Sequence, residues 1–238
     1  QPKLDVRSGK IVGGEALLRW IHPDLGIVPP DRFIPVAEET GLIVPIGNWV
    51  VHEAVRILRT WLDAGFNDLG ISINISGSHF LHSSLMAEIR AAVMTSGVPA
   101  EQLEIEVTES VLMKDASAAV GMLHDLKAMG LRLSVDDFGT GYSSIGLLRR
   151  CPIQTLKIGR GFVESMDEDG ADRAIVSALL GFARRLGVRH VIEGVETEEQ
   201  LQLVLDEGCE VVQGFYFSRS LSAADFALLL ARGSESIR

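Results

Sequence analysis

Leu131-Arg132-Leu133-Ser134-Val135-Asp136-Asp137-Phe138-Gly139-Thr140-Gly141 is an apolar alternation that runs into two adjacent carboxylates and then a glycine-rich turn. Leu131, Leu133 and Val135 recur with period two, the mark of a strand with one face buried. Acids at the end of such a run are informative, because α/β folds gather their chemistry at the carboxyl ends of their strands.

Other apolar runs end in the same way. Residues 70–75 carry Ile71-Ser72-Ile73 into Asn74, and residues 103–108 carry Leu103-Glu104-Ile105 into Glu106, Thr108 and the following Glu109. Leu156 leads to Lys157 within 155–158, Val191-Ile192 to Glu193 and then Glu196, and Val211-Val212 to Gln213 within 210–216. Upstream, residues 4–6 and 11–19 are joined by Arg7-Ser8-Gly9-Lys10, a polar turn suited to a hairpin, and Glu15 lies in its second arm. Helical periodicity fills 45–62, 85–96, 116–129, 172–186, 198–206 and 223–231, with glycines such as Gly65, Gly130 and Gly208 as stops. Strands alternating with helices through 238 residues, without linker or repeat, predict one α/β domain closed as an eight-stranded barrel, its hairpin supplying one antiparallel strand. An open doubly wound sheet is the alternative, because spacing alone does not set strand order.

The composition narrows the function. Twenty-two basic against 32 acidic side chains leave a net charge of -10, which argues against duplex nucleic acid or an anionic membrane as partner. The best apolar stretch, 41–61, is interrupted by Asn48, His52, Glu53, Arg56 and Arg59, so no direct membrane insertion is expected. Cys151 and Cys209 form no CxxC pair and fit a reducing compartment, so the expected location is the cytoplasm. The chain opens at Gln1 without an initiator Met, which suggests a domain excised from a longer protein.

So many carboxylates in one barrel mouth would repel each other without cations. Oxygen donors without His or Cys favour a hard ion, Mg²⁺ or Mn²⁺, and adjacent Asp136-Asp137 suit a two-ion site of the kind that promotes attack of water on phosphodiesters. Lys157 would orient groups beside them. Each element has a plainer reading: Glu104 and Glu106 as solvent-facing strand positions, Asp136-Asp137 as turn caps, Thr197 as a helix cap with Gln200 nearby. Recurrence across the strand ends is what favours a site. Gly139-Thr140-Gly141 lacks the rest of a dinucleotide fingerprint, His79 and His82 lack metal-binding partners and read as surface or core residues, and Asp167-Glu168-Asp169-Gly170 lacks the closing Glu of a calcium loop and reads as an exposed turn.

The ordered motifs resemble those of the EAL domain, the bacterial cyclic di-GMP phosphodiesterase family. They include Glu15-Ala16-Leu17 with Arg19-Trp20 and His22-Pro23, Phe33-Ile34-Pro35-Val36-Ala37-Glu38, Asn74-Ile75-Ser76, Glu106-Val107-Thr108-Glu109-Ser110, the run from Asp136-Asp137 to Ser143-Ser144, Lys157-Ile158, and Glu193-Gly194-Val195-Glu196-Thr197. The resemblance implies a TIM-like (β/α)8 barrel and hydrolysis of cyclic di-GMP to linear pGpG with two Mg²⁺ or Mn²⁺ ions. By that likeness one ion would sit on Glu15, Asn74, Glu106 and Asp136, and a second on Asp136, Asp137 and Glu193, with Lys157 near the attacking water. Glu196 would join Lys157 in the catalytic region, where it lines the substrate pocket with Gln1, Leu17, Arg19 and Gln213. Glu109 would steady the loop of 136–144. The resemblance further implies a homodimer, an upstream sensory or diguanylate-cyclase-like domain, and a first strand short of its usual length. One departure stands out: Gly159 in Lys157-Ile158-Gly159-Arg160 occupies a position where the family usually has Asp. A receptor that binds cyclic di-GMP without cleaving it is therefore a rival expectation, and a metal-dependent barrel acting on a carboxylate substrate is a third.

Overall fold

The computed structural model describes residues 1–140, 145–166 and 170–232. Residues 167–169, part of the partial calcium motif, and 141–144 of the glycine-rich loop lie outside the described residues.

Ten strands are present among the described residues: β1 (Pro2–Asp5), β2 (Lys10–Ala16), β3 (Trp20–His22), β4 (Gly26–Val28), β5 (Gly70–Asn74), β6 (Leu103–Thr108), β7 (Arg132–Phe138), β8 (Thr155–Ile158), β9 (Arg189–Glu193) and β10 (Val211–Gln213). Eight of them close in the order β1-β10-β9-β8-β7-β6-β5-β2, so the open-sheet alternative is rejected and the fold is a TIM-like barrel. β1 is antiparallel to both its neighbours, as the hairpin implied. The hairpin turn forms because the Asp5 carboxylate accepts the backbone N–H groups of Arg7 and Ser8 at 3.1 and 2.7 Å, and Gly9 supplies a left-handed residue at φ 65°.

The anticipated helices form at Ile43–Asp63, Leu85–Ser96, Ala116–Ala128, Gly170–Leu186, Glu198–Asp206 and Ala223–Arg232. Local chemistry sets their ends. Asp115 caps the third through the Ala118 N–H, Gly97 closes the second at φ 67°, and Thr197 with Gln200 forms a full capping box on the fifth. Outward strand side chains such as Ile73, Ile105, Leu133, Val135 and Leu156 pack with Leu58, Leu85, Ile89, Leu123 and Leu126 into the main core.

One expectation is corrected. The strand expected at 11–19 ends at Ala16, where its pairing with Ile73 of β5 stops, and the chain then makes the small β3–β4 hairpin. A helix at Pro30–Glu39 follows, in a stretch where no element was expected; Pro30 sits in its first turn, where proline lacks only an N–H that a helix leaves unpaired.

The barrel interior departs from the layers of branched apolar side chains usual in such barrels. Ser72, Glu106, Ser134 and Lys157 occupy inward positions and are all buried. Polar alternation along β5 to β8 therefore continues the acidic mouth down into the barrel.

Candidate active site

Parallel pairing sets the neighbours around the mouth: Asn74 beside Glu106, Thr108 beside Asp136, and Gln213 beside Glu193. On β7 the register against β8 shifts between Val135 and Phe138, and Asp137 takes φ 53°, a left-handed backbone that its short polar side chain tolerates better than most. Consecutive strand residues normally face opposite sides; a bulge breaks that rule, and here it turns both Asp136 and Asp137 toward one site. Thr140 pins the turn by donating its N–H and hydroxyl to the Asp137 carbonyl at 3.3 and 2.8 Å. Glu109 is buried behind it and accepts the Gly139 N–H at 3.1 Å.

Lys157 is the centre of the arrangement. Its fully buried ammonium lies 3.2 Å from Glu15 Oε2, 2.6 Å from Glu106 Oε2, 3.2 Å from Asp136 Oδ1 and 2.7 Å from Glu193 Oε1. A second buried ammonium, that of Lys3, reaches the other oxygen of Glu106 at 2.8 Å. Above them Asn74 donates to Glu15 Oε1 at 2.6 Å, and Gln213 donates to Glu15 Oε2 at 2.7 Å and to Gln1 Oε1 at 3.0 Å.

These surroundings pull the acids apart in proton affinity. Burial pushes Glu106 up, but Lys157 and Lys3 outweigh it and hold the carboxyl down to about 2. Burial raises Asp136 to about 6, with Glu106, Glu15 and Asp137 adding to it against Lys157. Glu193 is pushed by burial, Asp136 and Glu15 to about 8 despite Lys157. Burial also opposes the charge on Lys157, yet its four carboxylates carry it well above the ordinary lysine value.

Two sets of carboxylates bring oxygens within 4.8 Å of one another, Glu15 with Glu106 and Asp136, and Asp136 with Asp137 and Glu193. Asp136 is common to both. Five carboxylates against the two ammonium groups leave an excess of negative charge, and all-oxygen donors suit hard divalent cations. The residues present thus fit a pair of such ions.

The remaining sequence-derived residues lie around this centre. A cavity of about 220 Å³ is lined by Gln1, Glu15, Leu17, Glu193, Glu196 and Gln213, and a second of about 280 Å³ shares Gln1, Glu15 and Leu17 and adds Arg19. Arg19 is exposed and donates to the Ser220 hydroxyl at 3.0 Å. Glu196 is exposed and stands outside both carboxylate sets. The reading of Glu106 as a solvent-facing residue fails, since it is 0% exposed. His79 is a core residue, bonded to Asn48 Oδ1 at 2.8 Å. Sequence reasoning missed Lys3, which lies on β1 two residues after Gln1, and Arg160, which walls the smaller cavity.

The barrel, its antiparallel first strand and the carboxylate mouth define a TIM-like barrel equipped to hold cations at its strand ends. The EAL domain model matches residues 1–220, and the chain belongs to that family. It is 46% identical over 223 residues to the bifunctional diguanylate cyclase/cyclic di-GMP phosphodiesterase MucR of Pseudomonas aeruginosa, covering 94% of this chain and 33% of that protein. The cyclic di-GMP phosphodiesterase NbdA of the same organism is 41% identical over 224 residues, 94% of this chain and 29% of its own. The solved structure titled PaMucR phosphodiesterase, c-di-GMP complex, superposes with a TM-score of 0.92 at 46% identity, covering 95% of this chain and 92% of the other. The chain spans about a third of the length of the curated relatives it matches. No helix among the described residues is long and apolar enough to cross a membrane.

Proposed function

We propose that the domain hydrolyses one phosphodiester bond of cyclic di-GMP to give linear pGpG, with two Mg²⁺ or Mn²⁺ ions. The observation that carries this reading is the pair of carboxylate sets sharing Asp136 in the mouth of the barrel; the names of MucR and NbdA support the substrate class. Glu15, Asn74, Glu106 and Asp136 would hold one ion, and Asp136, Asp137 and Glu193 the other. Such ions neutralise phosphate charge and lower the pKa of a bound water. Lys157, in contact with both sets, holds Glu15, Glu106, Asp136 and Glu193 in one arrangement and places a fixed positive charge beside the attacked phosphate. Gln1, Leu17, Arg19, Glu196 and Gln213 line the two adjoining cavities, which would receive the two nucleotide halves of the ligand. Arg19 is the group for a phosphate or a guanine face.

Incubating the protein with cyclic di-GMP and Mg²⁺ or Mn²⁺, and following pGpG by chromatography, tests the reading. Product above a Glu15→Ala control is expected. The second reading, a receptor that binds without turnover, draws on Gly159; tight binding without product would favour it and end the enzyme reading. A homodimer, an upstream sensory or diguanylate-cyclase-like domain and a cytoplasmic location belong to the same proposal, the linked domain being supported by the two-thirds of MucR that this chain does not span.

A further inference from the structure

A groove of about 720 Å³ lies between β3, the helix at Pro30–Glu39 and the start of the helix at Ile43–Asp63. Its walls are Trp20, Phe33, Val36, Leu42, Ile46 and Trp49, with the rings of Trp20 and Phe33 edge to face at 5.7 Å. Val36, Leu42 and Trp49 are 57%, 57% and 58% exposed. Single exposed apolar side chains are ordinary, but a concave run of them marks a place where something binds. The charged side chains that line the groove are Arg19 and Arg32, and no acid lines it among the described residues. In a chain of net charge -10, neither arginine has a carboxylate partner among those residues. Arg19 donates to the Leu18 carbonyl and the Ser220 hydroxyl at 2.9 and 3.0 Å, and Arg32 is exposed and makes no ion pair.

Volume and charge together select the occupant. Sites for small organic molecules run from about 300 to 1,000 Å³, apolar and aromatic with a few polar groups that fix orientation. A protein segment long enough to run past the groove would meet Asp31, Glu38 and Glu39, exposed acids on the same helix as Arg32, whereas a ligand confined to the groove meets the two arginines. We propose that the groove binds a small amphipathic anion, an aromatic or acyl body that carries one carboxylate or sulfonate group. The body packs on Trp20, Phe33 and Trp49, and the anionic group accepts hydrogen bonds from Arg32 and Arg19. The groove shares Leu18, Arg19 and Trp49 with the cavity of about 280 Å³ beside Glu15. A bound anion therefore competes for Arg19 and acts as an effector that weakens the hold on cyclic di-GMP. That consequence rests on the reading of Arg19 as a substrate group; the site itself does not.

Fluorescence titration with the dye anilinonaphthalene sulfonate, and its displacement by decanoate, tests the site in the parent, Arg32→Gln and Val36→Asp. Both positions are exposed and lie outside the carboxylate mouth, so circular dichroism and the KM for cyclic di-GMP without any probe should match the parent in both variants. Dye and decanoate are expected to bind the parent, and each variant should bind them about tenfold more weakly, the loss expected when one charge-assisted hydrogen bond goes or a like charge enters. Decanoate should also raise the KM for cyclic di-GMP in Mg²⁺ with kcat unchanged, and do so less in Arg32→Gln. Probe binding that is the same in all three proteins would overturn the site. Decanoate binding that leaves KM unchanged would overturn the effector role. Failure of both probes to bind would overturn the whole inference, and a parent dimer that Val36→Asp dissociates in sedimentation would then give the groove to a second copy of the chain. A parent that forms no pGpG would overturn the phosphodiesterase reading, while the dye titration still decides the site.

Discussion

Lys3 is a lysine in the least expected place, inside a barrel, buried and 2.8 Å from Glu106. Its charge persists because burial, which disfavours it, is outweighed by Glu106 and Glu104. Glu106 in turn depends on both lysines, so each partner is costly to leave alone. Truncating one member of a buried pair strands the other, at a typical cost of about 3–5 kcal/mol. Lys3→Met, close in volume, should therefore lower the unfolding free energy by about 3 kcal/mol in urea titration. Adding Glu106→Gln should recover part of that loss, which a double-mutant cycle would read as coupling. A loss under about 1 kcal/mol would show that Lys157 alone suffices to hold Glu106. The residue scale also shows where sequence reading stops. Glu15, Asn74, Glu106, Asp136, Glu193 and Gln213 were legible because each ends a forward-running strand or pairs beside one that does, whereas Lys3 lies on the one strand that runs the other way, and the rule of looking at carboxyl ends passes it by.

At the scale of elements, the decisive piece is the end of β7, where a bulge, a left-handed Asp137 and a buried Glu109 work together. Glu109 is tied to the loop by its bond to the Gly139 N–H. Glu109→Ala leaves that donor unpaired and should cost about 1–3 kcal/mol of stability. Glu109→Gln keeps an acceptor oxygen and should cost less. If the loop also positions Asp137, the Ala variant should weaken Mn²⁺ binding more than the Gln variant does, and calorimetry on the two would separate this from a purely structural effect. No sequence periodicity announces a bulge: Asp136-Asp137 is equally readable as a capped turn, and only the register with β8 distinguishes the two. The β3–β4 hairpin was hidden for another reason. Its Ile21 and Ile27 are 77% and 69% exposed, so the alternation by which a half-buried strand reveals itself is missing. The helix at Pro30–Glu39 was hidden by a proline that starts helices as readily as it stops them.

Across the whole molecule the acidic balance of -10 is concentrated in its effect at the mouth, and there it makes stability a function of both pH and divalent cation. Glu106, held down to about 2, contributes stability that is present above its unfolded value and lost as pH falls toward 2. Asp136 and Glu193 act with the opposite sign. Their carboxyls are raised to about 6 and about 8, so their contribution is present below their unfolded values and lost as pH rises through those two numbers. The metal-stripped protein should therefore be most stable on the acid side of neutrality and lose stability between about pH 4 and pH 8. A divalent cation competes with protons for the same oxygens, so it should stabilise little at pH 5 and strongly at pH 8. With Mg²⁺ at about a hundred times its dissociation constant the gain is about 2.7 kcal/mol per site, which for a domain of this size is a rise in Tm of roughly 5–10 °C. Thermal melts in EDTA and in Mg²⁺ across that pH range decide the matter. A Mg²⁺ shift that is the same at pH 5 and pH 8 would mean that the ion binds away from Asp136 and Glu193, and the shared-carboxylate site would have to be abandoned.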